Sequence, residues 1–529
     1  MKTAHVDTFV RDRLPPPEAQ PEFLFDLPDL QYPERLNAAV ELVDKGDPDA
    51  LAVINDSGRW TYGEMRGLSD RIARLLAEEE DLLPGDRVLL RGPNGAMLFA
   101  CWLGILKAGG IVVATMPVLR SGEVATILER AQVRHAIVDD RFLADFLKAA
   151  DETGLIRSLL TYGGDSGGGR LEERLESVRP GFEPVDTRRD DVALIAFTSG
   201  TTGRPKGCVH YHRDILAPAD SFARHVLRPE LGGRWACSAP IAFTFGLGML
   251  LIFPWRFGGA AVTIERPGPG PLLEAIAKFE VTTLATAPTA YKAMLTLLGE
   301  HDISSLGACV SAGEHLPAAT WQAWREATGL GIVDGIGATE MMHIFISASG
   351  DDIRPGATGK AVPGYRACVL DEEGRPLPHG IGRLAVKGPT GCRYFDDERQ
   401  ADYVQGGWNV TGDTYRADED GYFWYVARSD DMIVSAGYNI AAPEVENALY
   451  AHPAVRECAV IGVPCEERGQ RVKAFVVPAG REPDANLARE LQDHVKAVIA
   501  PYKYPRDVEF VEALPKTATG KLQRFALKR

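Results

Sequence analysis

The sequence predicts an α/β protein. It should have a large N-terminal domain of mostly parallel sheets flanked by helices, a small antiparallel β-barrel within that domain, and a small α+β C-terminal domain. Three observations carry this. Short β-rich runs alternate with helical periodicity through most of the chain, the pattern of strands and helices wound on a parallel sheet. The stretch YRACVLDEEGRPLPHGIGRLAVKGP (365–389) reads differently, as strands separated by turn signals. At 529 residues the chain is also too long for one core, given roughly 150 residues per domain.

Taken in order, DRVLLRG (86–92) is a strand, AMLFACWLGILKAGG (96–110) an amphipathic helix, and IVVAT (111–115) the next strand. HAIVDD, DVALIAFTSG and VTTLATAP are further strands, each leading into a turn or helix. GGDSGGGR (163–170) is a glycine-rich surface loop. The most apolar stretches, near 95–119 and 241–262, are interrupted by Lys107, Arg256 and several Gly and Pro. They read as buried helix–strand segments and not as membrane spans. Near the C-terminus AAPEVENALYAH is a helix entered at Pro443, ECAVIGVPC and RVKAFVVPAG are strands, and DANLARELQDHVKAVIA is a helix. The boundary is placed inside the charged run VARSDDMIVSAG (426–437). This gives domains at 1–429, with the barrel at about 360–429, and at 430–529.

Composition excludes several classes. Apolar content of 45% and charged content of 25% are ordinary for a soluble globular protein. A net charge of −15 argues against a nucleic-acid partner, because such affinity rests on cations that displace counterions. The eight cysteines contain no CxxC pair, so reduced thiols in a cytoplasmic protein are expected instead of disulfides or a zinc site. MKTAHVDTFVRDRLPPPEAQ has no apolar core, and no secretory leader is expected.

The chemistry is concentrated in FTSGTTGRPKG (197–207). The spacing is not that of a Walker A loop, since no Gly-Lys-Ser/Thr follows the first glycine. The physics is shared. Glycines let the backbone approach an anion, hydroxyls and N–H groups wrap it, and Lys206 adds a mobile point charge. The alternative is a Ser/Thr-rich surface turn.

TSGTTGRPKG resembles the signature of adenylate-forming enzymes, the acyl- and aryl-CoA synthetases and their relatives. Four more matches follow in that family's order: DGIGATE (334–340), GWNVTGD (407–413), ARSDD (427–431) and PKTATGKLQR (515–524). The resemblance implies that a carboxylate attacks the α-phosphate of ATP, releasing pyrophosphate, and that coenzyme A then captures the acyl-adenylate. It implies that Thr198, Ser199, Gly200, Thr201, Thr202 and Lys206 hold the pyrophosphate, that Glu340 ligates Mg²⁺, and that Thr339 touches the α-phosphate. Ser311, Ala312, Gly313 and Glu314 with Asp334, Gly335 and Ile336 would line the adenine. Asp413 would accept both ribose hydroxyls, with Arg428 near the same ribose and Tyr425 packed on the nucleotide. Lys521 would be the cation bridging acyl carboxylate and α-phosphate. The resemblance makes the C-terminal domain mobile, pivoting at Asp430 between the two half-reactions, with Gly437 lining the pantetheine tunnel. Val434 stands where many relatives carry a lysine, so that lysine's role does not transfer.

For the acid, APIAFTFGLG (239–248) and DGIGATEMMHIF (334–345) resemble the benzoate–CoA ligase branch. Carried over, Thr244, Phe245, Gly337, His343 and Ile344 would surround an aromatic ring; for His343 a packed core histidine is the other reading. A small apolar residue is usual where Thr244 stands, and tyrosine where Phe245 stands. A hydroxyl at Thr244 suits a substituted ring, and VDTFVRDRLPPPEAQPEFLFDLPDL resembles the opening of 2-aminobenzoate–CoA ligases. A 2-aminobenzoate is therefore the favoured acid and benzoate the next. The alternative is a stand-alone enzyme that loads an aryl acid onto a carrier protein. No aspartate stands in FTFG to pair an amino acid's ammonium, and GGDSGGG lacks the helix that a fused carrier would open. Loss of catalysis would not retain both Glu340 and Lys521, and the aromatic pocket argues against medium-chain fatty acids. The expected partners are therefore small molecules, with neither nucleic acid nor membrane; a homodimer is compatible with the sequence.

Overall fold

Eleven of the twelve residues of the helix Ala96–Lys107 are buried: where the sequence predicts an amphipathic helix, the helix is apolar on every side and covered all round. Its last residue is the cation that interrupts the apolar stretch, and the fold keeps it inside. The Lys107 ammonium lies 2.6 Å from both Asp44 and Asp70, the pairing a buried charge needs. Among the described residues no helix is long and apolar enough to cross a membrane. The structure, a computed structural model, describes residues 3–163, 170–198, 205–428, 432–435, 438–465, 469–499, 501–516 and 522–527. The chain forms two compact units, one of Met1–Ala367 with Val386–Asn409, the other of Cys368–Ala385 with Val410–Arg529.

The first unit is built on two sheets. In one, the strands Ser158–Tyr162, His135–Asp139, Arg87–Arg91, Ile111–Thr115, Val192–Thr198 and Lys206–Tyr211 lie side by side in that order. The first five run parallel, and the last two pair antiparallel around the Ser/Thr/Gly turn. Arg87–Arg91 is buried along its whole length, because a parallel sheet is covered on both faces. The second sheet has a parallel centre of Leu51–Asn55, Ala260–Val262, Arg234–Cys237, Thr283–Thr286, Ala308–Ala312 and Ile332–Gly337. Gly58–Thr61 closes one edge antiparallel, and Ile344–Ser347 followed by Lys360–Ala361 the other. This is the α/β architecture expected from the alternation of strands and helices.

In the second unit, an antiparallel pair joins Val369 to Leu377 within the stretch read as alternating strands, and another joins Asp413 to Arg428 beyond it. Its C-terminal part is α+β. Tyr438–Ala441, Met432–Ser435, Gly469–Pro478 and Val455–Cys465 lie in that order, and Asp507–Phe510 adds parallel to Gly469–Pro478. The helix Ala442–Tyr450 has proline in its first turn, where the missing N–H costs nothing. The helix Ala485–Val498 is capped by Asp484, whose Oδ1 accepts from the Leu487 N–H at 2.7 Å. Leu487, Leu491 and Val495 bury one face of that helix in a core with Val445 and Leu449. Residues 164–169 of the glycine-rich loop lie outside the described residues.

Candidate active site

The phosphate turn is closed by its two flanking strands. Thr198 and Lys206 are register partners, as are Phe197 and Gly207, so the strand pair fixes both ends of the turn. Ser199, Gly200, Thr201 and Thr202 lie outside the described residues. Thr198 and Lys206 are both half-buried. The Lys206 ammonium donates to the Tyr394 hydroxyl at 3.2 Å and sits 4.9 Å from the centre of that ring.

Glu340 and Thr339 follow the strand Ile332–Gly337 in a short 3₁₀ turn. Glu340 is buried, and the Tyr394 hydroxyl donates to its Oε1. The Thr339 carbonyl accepts from His210 Nε2 at 2.8 Å, which ties this turn to the strand leaving the phosphate loop. The structure thus brings Lys206 and Glu340 to one phenol. Tyr394 was missed by reading the sequence, where it is one of 15 tyrosines in no motif.

The residues expected around adenine occupy the C-terminal ends of two adjacent parallel strands, with Ser311 beside Asp334 and Ala312 beside Gly335. In open parallel sheets ligands bind at such ends. Gly313, just past the strand, has φ +89 and open space where a Cβ would stand. Burial pushes the Asp334 carboxyl up to about 8, against the opposing pull of the Gly335 N–H and Ser311.

The residues expected around the acid also converge. Gly337 pairs with Ile344 across the sheet edge. A Cβ at Gly337 would come within 2.8 Å of the His343 backbone, so no larger side chain fits. Thr244 and Phe245 open the short helix Thr244–Leu247, Thr244 buried and Phe245 half-buried. The His343 ring stacks between Phe222 and Phe245, with centroids at 5.7 and 5.5 Å, and meets Phe253 edge-on at 4.6 Å. Its Nε2 donates to the Phe245 carbonyl at 3.3 Å. Burial drives its pKa down to about 3, with that carbonyl opposing, so the ring is neutral. Its Nδ1 is buried and has no hydrogen-bond partner among the described residues.

In the second unit Asp413 is buried in the strand Trp408–Ala417 and pairs in register with Arg428. Tyr425, half-buried, meets Tyr415 edge-on at 5.6 Å. Asp430, Gly437 and Lys521 lie outside the described residues.

Comparison with known proteins is consistent along the whole chain. Residues 40–394 match the AMP-binding enzyme family, and residues 444–521 match the AMP-binding enzyme C-terminal domain. The chain is 36% identical to the benzoate–CoA ligase of Thauera aromatica over 513 residues, covering 95% of this chain and 97% of that one. Its fold is similar to the crystal structure of the anthranilate CoA ligase AuaEII in complex with anthranoyl-AMP. There the TM-score is 0.89 and the identity 36%, over 95% of this chain and 98% of that one. A benzoate CoA ligase from Burkholderia xenovorans is similar at TM-score 0.84 and 32% identity, over 93% and 100% of the two chains.

Proposed function

The chain belongs to the AMP-binding enzyme family and is an AMP-forming acid–thiol ligase; from that premise we propose that it activates an aromatic carboxylate, with 2-aminobenzoate favoured and benzoate next. The aromatic acid is supported by the acids named for the similar proteins and by the three phenylalanines gathered around His343, whose own ring is packed as a core histidine. Such a site suits a flat apolar ring held by few polar groups. The buried Nδ1 of His343 and the hydroxyl of Thr244 supply two polar groups in or beside it. The acids named for the similar proteins, benzoate and anthranilate, fit the same reading.

A carboxylate is a poor acyl donor because oxide would have to leave. Attack on the α-phosphate of ATP replaces it with AMP, and the thiol of coenzyme A then displaces AMP to give the thioester. The work of the first step is alignment and stabilisation of phosphoryl charge. Thr198, the turn after it and Lys206 hold the departing pyrophosphate, and Thr339 contacts the α-phosphate. Ser311–Glu314 and Asp334–Ile336 bind the base, while Asp413 accepts the ribose hydroxyls with its two oxygens. Lys521 neutralises carboxylate and α-phosphate as they meet, and the segment at Asp430 allows the second half-reaction.

Among the described residues no group of three or more His, Cys, Asp or Glu forms a dedicated metal cage. Mg²⁺ asks little more than one carboxylate of a protein when nucleotide phosphates and water complete its shell, so Glu340 fits. When bound, Mg²⁺ would supply charge neutralisation to the phosphates. None of the eight cysteines forms a disulfide, which suits a reducing compartment.

The test is pyrophosphate release with and without coenzyme A, across benzoate, its amino and hydroxy isomers, phenylacetate and octanoate. The expected order places 2-aminobenzoate and benzoate first, with thioester formed only when coenzyme A is present. Preference for octanoate would contradict the reading.

A further inference from the structure

Lys206 and Glu340 stand on different elements, and the hydroxyl of Tyr394 is where they meet. The ammonium donates to the phenol oxygen at 3.2 Å, and the phenol donates onward to Glu340 Oε1. Tyr394 is 1% exposed and Glu340 8%, so the Tyr394–Glu340 end of this relay lies inside the protein, where a hydrogen bond to a charge is strong.

The backbone that carries the phenol is tied down on both sides. The Tyr394 N–H donates to Gln400 Oε1 at 2.9 Å. On either side, Val209 N–H donates to the Arg393 carbonyl at 2.9 Å and Phe395 N–H to the Gly207 carbonyl at 3.3 Å. The segment is thereby stitched to the strand that leaves the phosphate turn. Behind it Arg393, wholly buried, pairs with Asp214 at 2.7 Å, its guanidinium 4.1 Å from the ring centres of both Phe23 and Tyr211. Facing a carboxylate oxygen, which can only accept, the phenol is the donor of that pair.

We infer that Tyr394 is a positioning residue for adenylation: it fixes the Glu340 carboxylate for the divalent cation of the nucleotide and keeps Lys206 from pairing with that carboxylate directly. The inference rests on the roles proposed above for Glu340 and Lys206. When phosphate arrives, Lys206 can transfer its donors to the phosphate oxygens while the phenol remains on Glu340. Without the hydroxyl, the buried carboxylate loses a donor, and the nearby ammonium becomes its closest partner in competition with the cation.

The experiment uses the full chain and titrates Mn²⁺ by electron paramagnetic resonance in the presence of a non-hydrolysable ATP analogue. Tyr394→Phe is expected to weaken Mn²⁺ binding about ten-fold, as for one hydrogen bond to a charged group. The Mg²⁺ midpoint of pyrophosphate release should shift alike, while KM for the acid changes less than about two-fold. Tyr403→Phe alters the neighbouring ring, 5.9 Å away, and is expected to leave Mn²⁺ binding within about two-fold. Tyr394→His keeps a ring and a donor, guards against a misfolded phenylalanine variant, and should lose less Mn²⁺ affinity than it. Unchanged Mn²⁺ binding in Tyr394→Phe, equal losses in Tyr394→Phe and Tyr403→Phe, or the reverse order of the two Tyr394 variants overturns the inference. A wild-type protein that binds Mn²⁺ with the nucleotide yet activates no aromatic acid refutes the proposed function alone.

Discussion

Replacing Thr244 by alanine removes one buried hydroxyl beside the aromatic bed and leaves the rings in place. The ratio of kcat/KM for 2-aminobenzoate over benzoate is expected to fall about ten-fold, the value of one hydrogen bond. An unchanged ratio in steady-state assays would remove the reason for favouring 2-aminobenzoate. His343 makes a prediction in pH. Its folded pKa of about 3 lies below the usual 6.5, so between these values the unfolded chain holds a proton that the native ring refuses. Its contribution to stability is therefore present near neutrality and is lost as pH falls from about 6.5 towards 3. His343→Gln should lose less urea stability than wild type between pH 7 and pH 5, and parallel curves would contradict the assigned burial. The same scale separates what can be read from sequence. Lys206 and Glu340 stand in strings whose small, hydroxylated and acidic residues announce phosphate chemistry. Tyr394 does not, because its partner Glu340 is 54 residues away and a phenol has no local signature.

Elements were legible where local physics decides them. IVVAT is apolar enough for a covered parallel strand, and Pro443 and Asp484 mark helix starts, the first as a first-turn proline and the second as a cap. Asp484→Ala should cost about 1 kcal/mol in urea unfolding of the unit that carries it, as for loss of an N-cap. No change would show that the cap is dispensable. Less legible is anything set by approach of two distant segments. The backbone at His343 leaves no room for a Cβ at Gly337, a steric reason that the resemblance placing this glycine at the acid does not reveal. The point at Val410 where the chain returns to the second unit likewise has no signature, because the strand Trp408–Ala417 continues unbroken past it.

For the whole molecule the proposal divides two half-reactions between residues. Lys521→Ala is expected to lower adenylation by about 10² or more, as for removal of one preorganised charge stabiliser. Thioester formation from synthetic aryl-adenylate should survive far better. Asp430→Pro is expected to do the reverse, sparing adenylation and impairing thioester formation; intact thioester turnover in that variant would refute the hinge. All of this depends on ATP being held at the turn between Thr198 and Lys206 for attack by an aromatic acid. The most direct measurement is acid-dependent exchange of labelled pyrophosphate into ATP without coenzyme A, comparing wild type with Lys206→Ala and Glu340→Ala. The account predicts exchange with 2-aminobenzoate or benzoate in wild type and its loss in both variants. Exchange that persists in the variants, or none with any aromatic acid, would contradict it.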